Sequence, residues 1–227
     1  MALQPRTYVY KLTSDRGGAP AAPHVKGQPD LLTLSICKPA IRRTARPGDR
    51  VVGLTSRKLA ATEDYPLNSV IYAAVISGAV DAREYYAPRS RFRDRPDCIY
   101  TFHRVNGTLA HTGRTALHAD PAYWSRDLGS YPYYKNGRTL LSDDFRYFGV
   151  QAMSIPPQLC ALTQLAEELG QGHRVLHSSV VELQLDKLFK LLWKRFTRYT
   201  PHCVQEESYG HAPLQHGSKR RFDAACR

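Results

Sequence analysis

The chain is short of acid. Its 227 residues hold 20 Asp and Glu against 32 Lys and Arg, a formal net charge of +12 at pH 7. A field of that sign concentrates polyanions and speeds their encounter, so nucleic acid or nucleotide heads the partners it suits, ahead of anionic surfaces and acidic proteins. Long apolar runs are also missing. No stretch approaches the ~20 residues of a membrane-spanning helix, mean hydropathy is −0.44, and the opening MALQPRTYVYKLTSD has no apolar core of a secretory signal. The expectation is a cytoplasmic protein with no membrane partner. Cysteine is sparse and scattered, at positions 37, 98, 160, 203 and 226. No pair has the C-x-x-C spacing of a zinc knuckle or redox site, so free buried thiols are the expected state. Glycine-rich phosphate loops are absent, with neither G-x-G-x-x-G nor a P-loop. No cofactor and no metal are expected.

What is there concentrates in residues 31–55, LLTLSICKPAIRRTARPGDRVVGLT. Leu32, Leu34 and Ile36 alternate with Thr33 and Ser35, the period of a half-buried strand. Lys38-Pro39 ends it, since proline donates no ladder hydrogen bond. Arg42, Arg43, Arg46 and Arg50 follow, Pro47-Gly48-Asp49 turns the chain, and an apolar strand resumes through Val51 and Val52. The reading is a basic loop between two strands, with Asp49 its one acid, suited to an anionic ligand.

Along the rest of the chain, residues 7–12 read as a first strand and 14–30 as a Pro/Gly loop. Residues 70–80 read as an apolar strand bent at Gly78, and 139–149 as a strand, an acidic turn and an aromatic strand. Ser154 is a candidate cap for a helix through Leu159, Leu162 and Leu165. The clearest helix covers 180–199, with Val181, Leu185, Leu188, Leu192 and Phe196 on one face and lysines and arginines on the other. Strands first and helices last predict an α+β fold, a small curved mixed β-sheet or a barrel with C-terminal helices. The division is 1–178 for the α+β domain, 179–200 for the basic amphipathic helix and 201–227 for a disordered tail. The helix packs on the domain, or serves a protein partner or self-association.

Cys37-Lys38-Pro39, Ile41-Arg42-Arg43, Gly48-Asp49, Val51-Val52-Gly53 and Thr55-Ser56 resemble, in this order, the nucleotide modification associated domain 2 family. Ile71-Tyr72-Ala73, Glu84-Tyr85-Tyr86 and the segment from Leu141 to Gly149 continue the pattern. The resemblance runs over roughly residues 6–175 and leaves the helix after Val180 as an addition. It implies association with systems that make, read or restrict modified nucleobases. The Pro47-Gly48-Asp49-Arg50-Val51-Val52 run is also similar to PUA-like barrels of EVE and ASCH type, some of which take a flipped base into an aromatic pocket.

On this reading Lys38, Arg42, Arg43 and Arg46 contact phosphate, with Thr55, Ser56, Tyr86 and Tyr147 near the base. Aromatic side chains supply stacking walls, although most of the eight candidates between Tyr85 and Phe148 belong to the core. Arg89, Arg91, Arg93 and Arg95 alternate, as a stripe on a strand or as a mobile basic arm. The function expected is a nucleic-acid or nucleotide binding module associated with modified nucleobases, a reader. The alternative is an enzyme acting on a base or nucleotide, with Asp143 or Asp144 and a histidine moving protons. Cys37, Ser56 and Ser142 lack a nucleophile elbow or a neighbouring histidine motif, so no catalytic residue is assigned. His103, His111 and His118 lack metal-ligand spacing.

Overall fold

A computed structural model of the chain describes residues 4–23 and 29–199. Among the described residues ten strands and six α-helices follow one another. The first half holds β1 (Thr7–Leu12), β2 (Leu32–Leu34), α1 (Pro39–Thr44), β3 (Arg50–Thr55), α2 (Arg57–Thr62), β4 (Val70–Val75), β5 (Gly78–Val80) and α3 (Ala82–Tyr85). The second holds β6 (Tyr100–His103), β7 (Thr108–His111), α4 (Trp124–Leu128), β8 (Thr139–Ser142), β9 (Asp144–Tyr147), α5 (Cys160–Glu168), β10 (His173–Arg174) and α6 (Ser179–Arg195).

The main sheet has the order β10-β1-β3-β4-β9, with β1 and β3 parallel and the other pairs antiparallel. A second sheet, β2-β8-β5, is antiparallel, and β6 and β7 form a separate hairpin. The fold is α+β, and among the described residues none of its sheets closes into a barrel. The expected bend near Gly78 is where the chain leaves the main sheet for the second one. It returns at Asp143, between β8 and β9, so two short connections lock the sheets together.

Strand alternation explains the layering. Tyr8, Tyr10 and Leu12 point from β1 into a core shared with Leu32, Leu34 and Leu140 of the second sheet, while Val9 points to the opposite face. There Val52, Leu54, Val70 and Ala73 meet Leu162 and Leu165 of α5 and Leu185, Leu188, Phe189 and Leu192 of α6. The amphipathic stripe legible in the sequence is therefore a packed face: α6 lies on the main sheet, tied to β3 by Arg50 on Asp186 at 2.7 Å. A third core gathers around β6 and β7. Among the described residues no helix is long and apolar enough to cross a membrane.

Three sequence expectations change. The basic loop is a helix: α1 starts at Pro39, and proline suits a first helical turn because its missing N–H would be unpaired there anyway. The helix expected after Ser154 starts at Cys160, following Leu159. The alternating arginines lie on turns, and two fold inward: Arg93 donates to Tyr100 O at 2.9 Å, and Arg95 donates to Ala21 O and Leu31 O, both at 2.9 Å. Buried carbonyls need donors, and these guanidinium groups supply them. The proposed tail at 201–227 lies outside the described residues.

Gly53 shows how tightly the main sheet is built. A Cβ there would press into the Tyr72 ring and lie 2.5 Å from Leu12 Cδ1. Tyr72 cannot swing away, because it is fully buried and its hydroxyl pairs with that of Tyr10 at 2.8 Å. Gly53→Ala is expected to destabilise the protein by about 3 kcal/mol, the upper range for overpacking, with the midpoint of urea unfolding as the measurement.

Candidate active site

The second sheet delivers its first strand to a sharp corner. After β2, Ser35 is held by its hydroxyl on Asp97 O at 3.0 Å, and its own carbonyl accepts from the Tyr86 hydroxyl at 3.3 Å. Asp97, itself fully buried, accepts from Thr33 Oγ1 at 2.6 Å and from the Tyr85 hydroxyl at 2.8 Å. The next residues, Cys37 and Lys38, adopt left-handed backbone with φ of 54° and 40°. His118 has a φ of 53°. Side chains with a Cβ rarely accept this region, and such strain, ~1–3 kcal/mol per residue, persists where surrounding contacts impose it and clusters at functional sites.

These three residues meet. Cys37 Sγ lies 3.5 Å from His118 Nε2, and His118 Nδ1 donates to Asp127 Oδ2 at 2.5 Å. Asp127, on α4, is 1% exposed and accepts twice more: from the Cys37 N–H on Oδ1 at 2.8 Å and from the Tyr100 hydroxyl on Oδ2 at 2.8 Å. The Tyr123 ring stacks on the imidazole at 4.8 Å, and Trp124 Nε1 donates to His118 O at 3.1 Å. A sulfur, an imidazole and a carboxylate thus stand in series, with the imidazole fixed on both sides. That is the arrangement by which a base activates a nucleophile while a third group orients the base. The three ligand-type atoms also lie within 4.8 Å of one another. Even so, both carboxylate oxygens already accept hydrogen bonds, and Nδ1 is turned to Asp127, so the geometry is that of a proton relay.

Beneath the corner sits Arg42, 0% exposed. It donates to Cys37 O at 2.7 Å, Asp127 O at 2.8 Å, Arg138 O at 2.9 Å and Asn136 O. One guanidinium therefore fixes the loop that carries the sulfur and the helix that carries the carboxylate.

Cys37 and His118 open into a small cavity also lined by Tyr10, Leu12, Arg16 and Lys38. Lys38 lies over the Tyr10 ring, with its ammonium 4.6 Å from the ring centre. Burial pulls its pKa down to about 8, so the ammonium is charged at pH 7 and loses its proton as pH rises through about 8.

Of the eight residues expected from the sequence to contact phosphate or base, Lys38 alone lines this cavity. Arg42 has four guanidinium contacts to backbone and no surface, so it does not reach a phosphate as expected. Arg43 and Arg46 are exposed on and just after α1. Thr55 is buried with its hydroxyl on Ser69 O at 3.3 Å, Ser56 caps α2, Tyr86 is in the third core, and Tyr147 donates to Asp15 Oδ2 at 2.6 Å. Asp144 faces α6, accepting from Trp193 Nε1 at 2.7 Å, and Asp143 is exposed beside it. His118 and Asp127 were missed as a site because 81 and 90 residues separate them from Cys37. The available signal was a cysteine with no zinc spacing in a chain that holds histidines elsewhere.

The expectation of free thiols also needs correction. Cys98 and Cys160 are free, but Cys37 is disulfide-bonded, its partner lying outside the described residues. Cys98 has no histidine beside it, and burial pushes its thiol up to about 12, a poor nucleophile at neutral pH.

The sequence matches the model of the family called nucleotide modification associated domain 2 over residues 4–206. The chain belongs to that family, which places it with nucleotide modification systems. The match extends past the span of the resemblance read from the sequence and takes in all of α6. No curated protein and no solved structure matches it.

Proposed function

We propose that this protein is an enzyme that acts on a base or nucleotide within a nucleic-acid modification system, through a covalent bond to Cys37. The observation that carries the reading is the Cys37–His118–Asp127 series opening into one cavity with Lys38. A thiol reductant first converts the Cys37 disulfide to two thiols and is itself oxidised to a disulfide. His118 Nε2 then takes the Cys37 thiol proton, while Nδ1–H stays on Asp127 and keeps the ring in register. The thiolate forms a bond to an electron-poor carbon of the substrate, and the displaced electron pair moves to a leaving group or a ring heteroatom. The imidazolium returns its proton there.

The test is incubation of reduced protein with mononucleotides and with unmodified and modified oligonucleotides, followed by intact-mass and product analysis. A new product, or an adduct that maps to Cys37 and disappears in Cys37→Ser, is the expected result. Reduced protein that changes none of them and forms no adduct overturns the reading.

A second reading, a nucleic-acid binding module that reads modified bases, is favoured by the exposed Arg43 on α1 and Arg46 just after it, and by the net charge of +12. Running the oligonucleotides at two salt concentrations separates the two. Phosphate contacts give binding that falls with salt, and tight salt-dependent binding without any product or adduct favours the reader.

A further inference from the structure

Among the described residues Lys38 has no counter-ion. Among the described residues its ammonium makes neither an ion pair nor a hydrogen bond, and its one polar contact is the face of Tyr10 at 4.6 Å. Arg16, the other cation at the cavity, is paired with Glu63 at 3.0 Å. Lys38 and Cys37 line the same cavity. A largely buried cation without an acid is costly, and the cavity it lines is where a compensating charge can enter. The groups around it are no substitute: Tyr10 is a buried phenol whose pKa burial pushes far up, and His173 on β10 is held towards its neutral form by burial and by the charge of Lys38 itself.

We propose that Lys38 makes the cavity anion-selecting, receiving a phosphate or carboxylate oxygen of the substrate beside the Cys37 sulfur. This rests on the reading of Cys37 as a nucleophile, and the two are tested apart. Reduced protein is alkylated with iodoacetate, an anion, and with iodoacetamide, its neutral counterpart. In both cases the Cys37 sulfur forms a bond to the CH₂ carbon and iodide leaves, so the ratio of the two rates reads the charge felt by the reagent. Peptide mass mapping follows Cys37 apart from the other cysteines.

Without a local field iodoacetamide is the faster reagent at an ordinary thiol. At Cys37 the iodoacetate-to-iodoacetamide ratio is expected to be about tenfold above that of Cys160 in the same sample, the size of effect an unscreened cation supplies. Lys38→Met should return the ratio to the Cys160 value, and Lys38→Arg should keep most of it. Both rates are read on the same variant, so a change in folding that slows both leaves the ratio interpretable. Stronger protection by inorganic phosphate than by acetate identifies a phosphate subsite, and the reverse a carboxylate subsite. A reactive Cys37 whose ratio equals that of Cys160, or is unchanged by Lys38→Met, overturns the anion site while leaving the nucleophile standing. A Cys37 inert to both reagents overturns the nucleophile.

Discussion

Cys37→Ser is expected to abolish adduct formation and to lower turnover by at least about a thousandfold, because a serine hydroxyl beside an imidazole ionises far less readily than a thiol and is a weaker nucleophile towards a soft carbon. Compared with the reduced parent the fold should be unaffected, since the disulfide is already open in both and the substitution removes no buried volume of consequence. His118→Ala is expected to cost ~10²–10⁴-fold, the usual worth of a positioned general base. Its signature is in the pH profile: without the imidazole, alkylation of Cys37 should rise with pH as for an ordinary thiol near 8.5, whereas with it the rise should come earlier. The double variant Cys37→Ser/His118→Ala should be no worse than Cys37→Ser, because residues acting as one unit are not additive. If the two losses multiply, or if His118→Ala leaves the pH profile of Cys37 unmoved, the imidazole does not serve the sulfur. Iodoacetamide rates at Cys37 from pH 5 to pH 9 in the reduced parent and in His118→Ala measure this directly.

The sequence carried the main sheet and α6 well, because both write their burial as a period. Tyr8, Tyr10 and Leu12 alternate with partners on the other face, and Leu185, Leu188 and Leu192 recur at helical spacing; each set lands in one core. The site is written in no period. Cys37 lies in the bend after a short strand, His118 lies in a connecting stretch after β7, and Asp127 sits on a five-residue helix. Their meeting depends on long-range hydrogen bonds that no window of sequence contains. Composition misled in a specific way as well. Counted by charge, Arg42, Arg43 and Arg46 are equivalent, but a six-residue helix turns Arg42 into the protein and leaves the other two outside. Arginine in a basic run reads as surface, whereas five fixed N–H donors also make it suited to binding a set of backbone carbonyls.

That difference sets the largest expected stability effect. Arg42→Met keeps the aliphatic stem but leaves Cys37 O, Asp127 O, Arg138 O and Asn136 O without the donors that now serve them. Each buried carbonyl so orphaned costs about 1–3 kcal/mol. Even half of that sum is a large share of the ~5–15 kcal/mol that holds a domain together, so Arg42→Met should fold poorly or melt at least about 10 °C below the parent. Arg42→Lys should recover little, because one ammonium cannot span carbonyls that approach from the α1 loop, α4 and the residues before β8. Arg43→Ala, one position along and exposed, is the control and should change stability by less than about 0.5 kcal/mol. Urea and thermal melts of the three variants decide the matter, and an Arg42→Met protein within 1 kcal/mol of the parent would show that the guanidinium does not hold the corner. The guanidinium has a further use: by donating to Cys37 O and Asp127 O it fixes the loop and the helix that bring the sulfur and the carboxylate to His118.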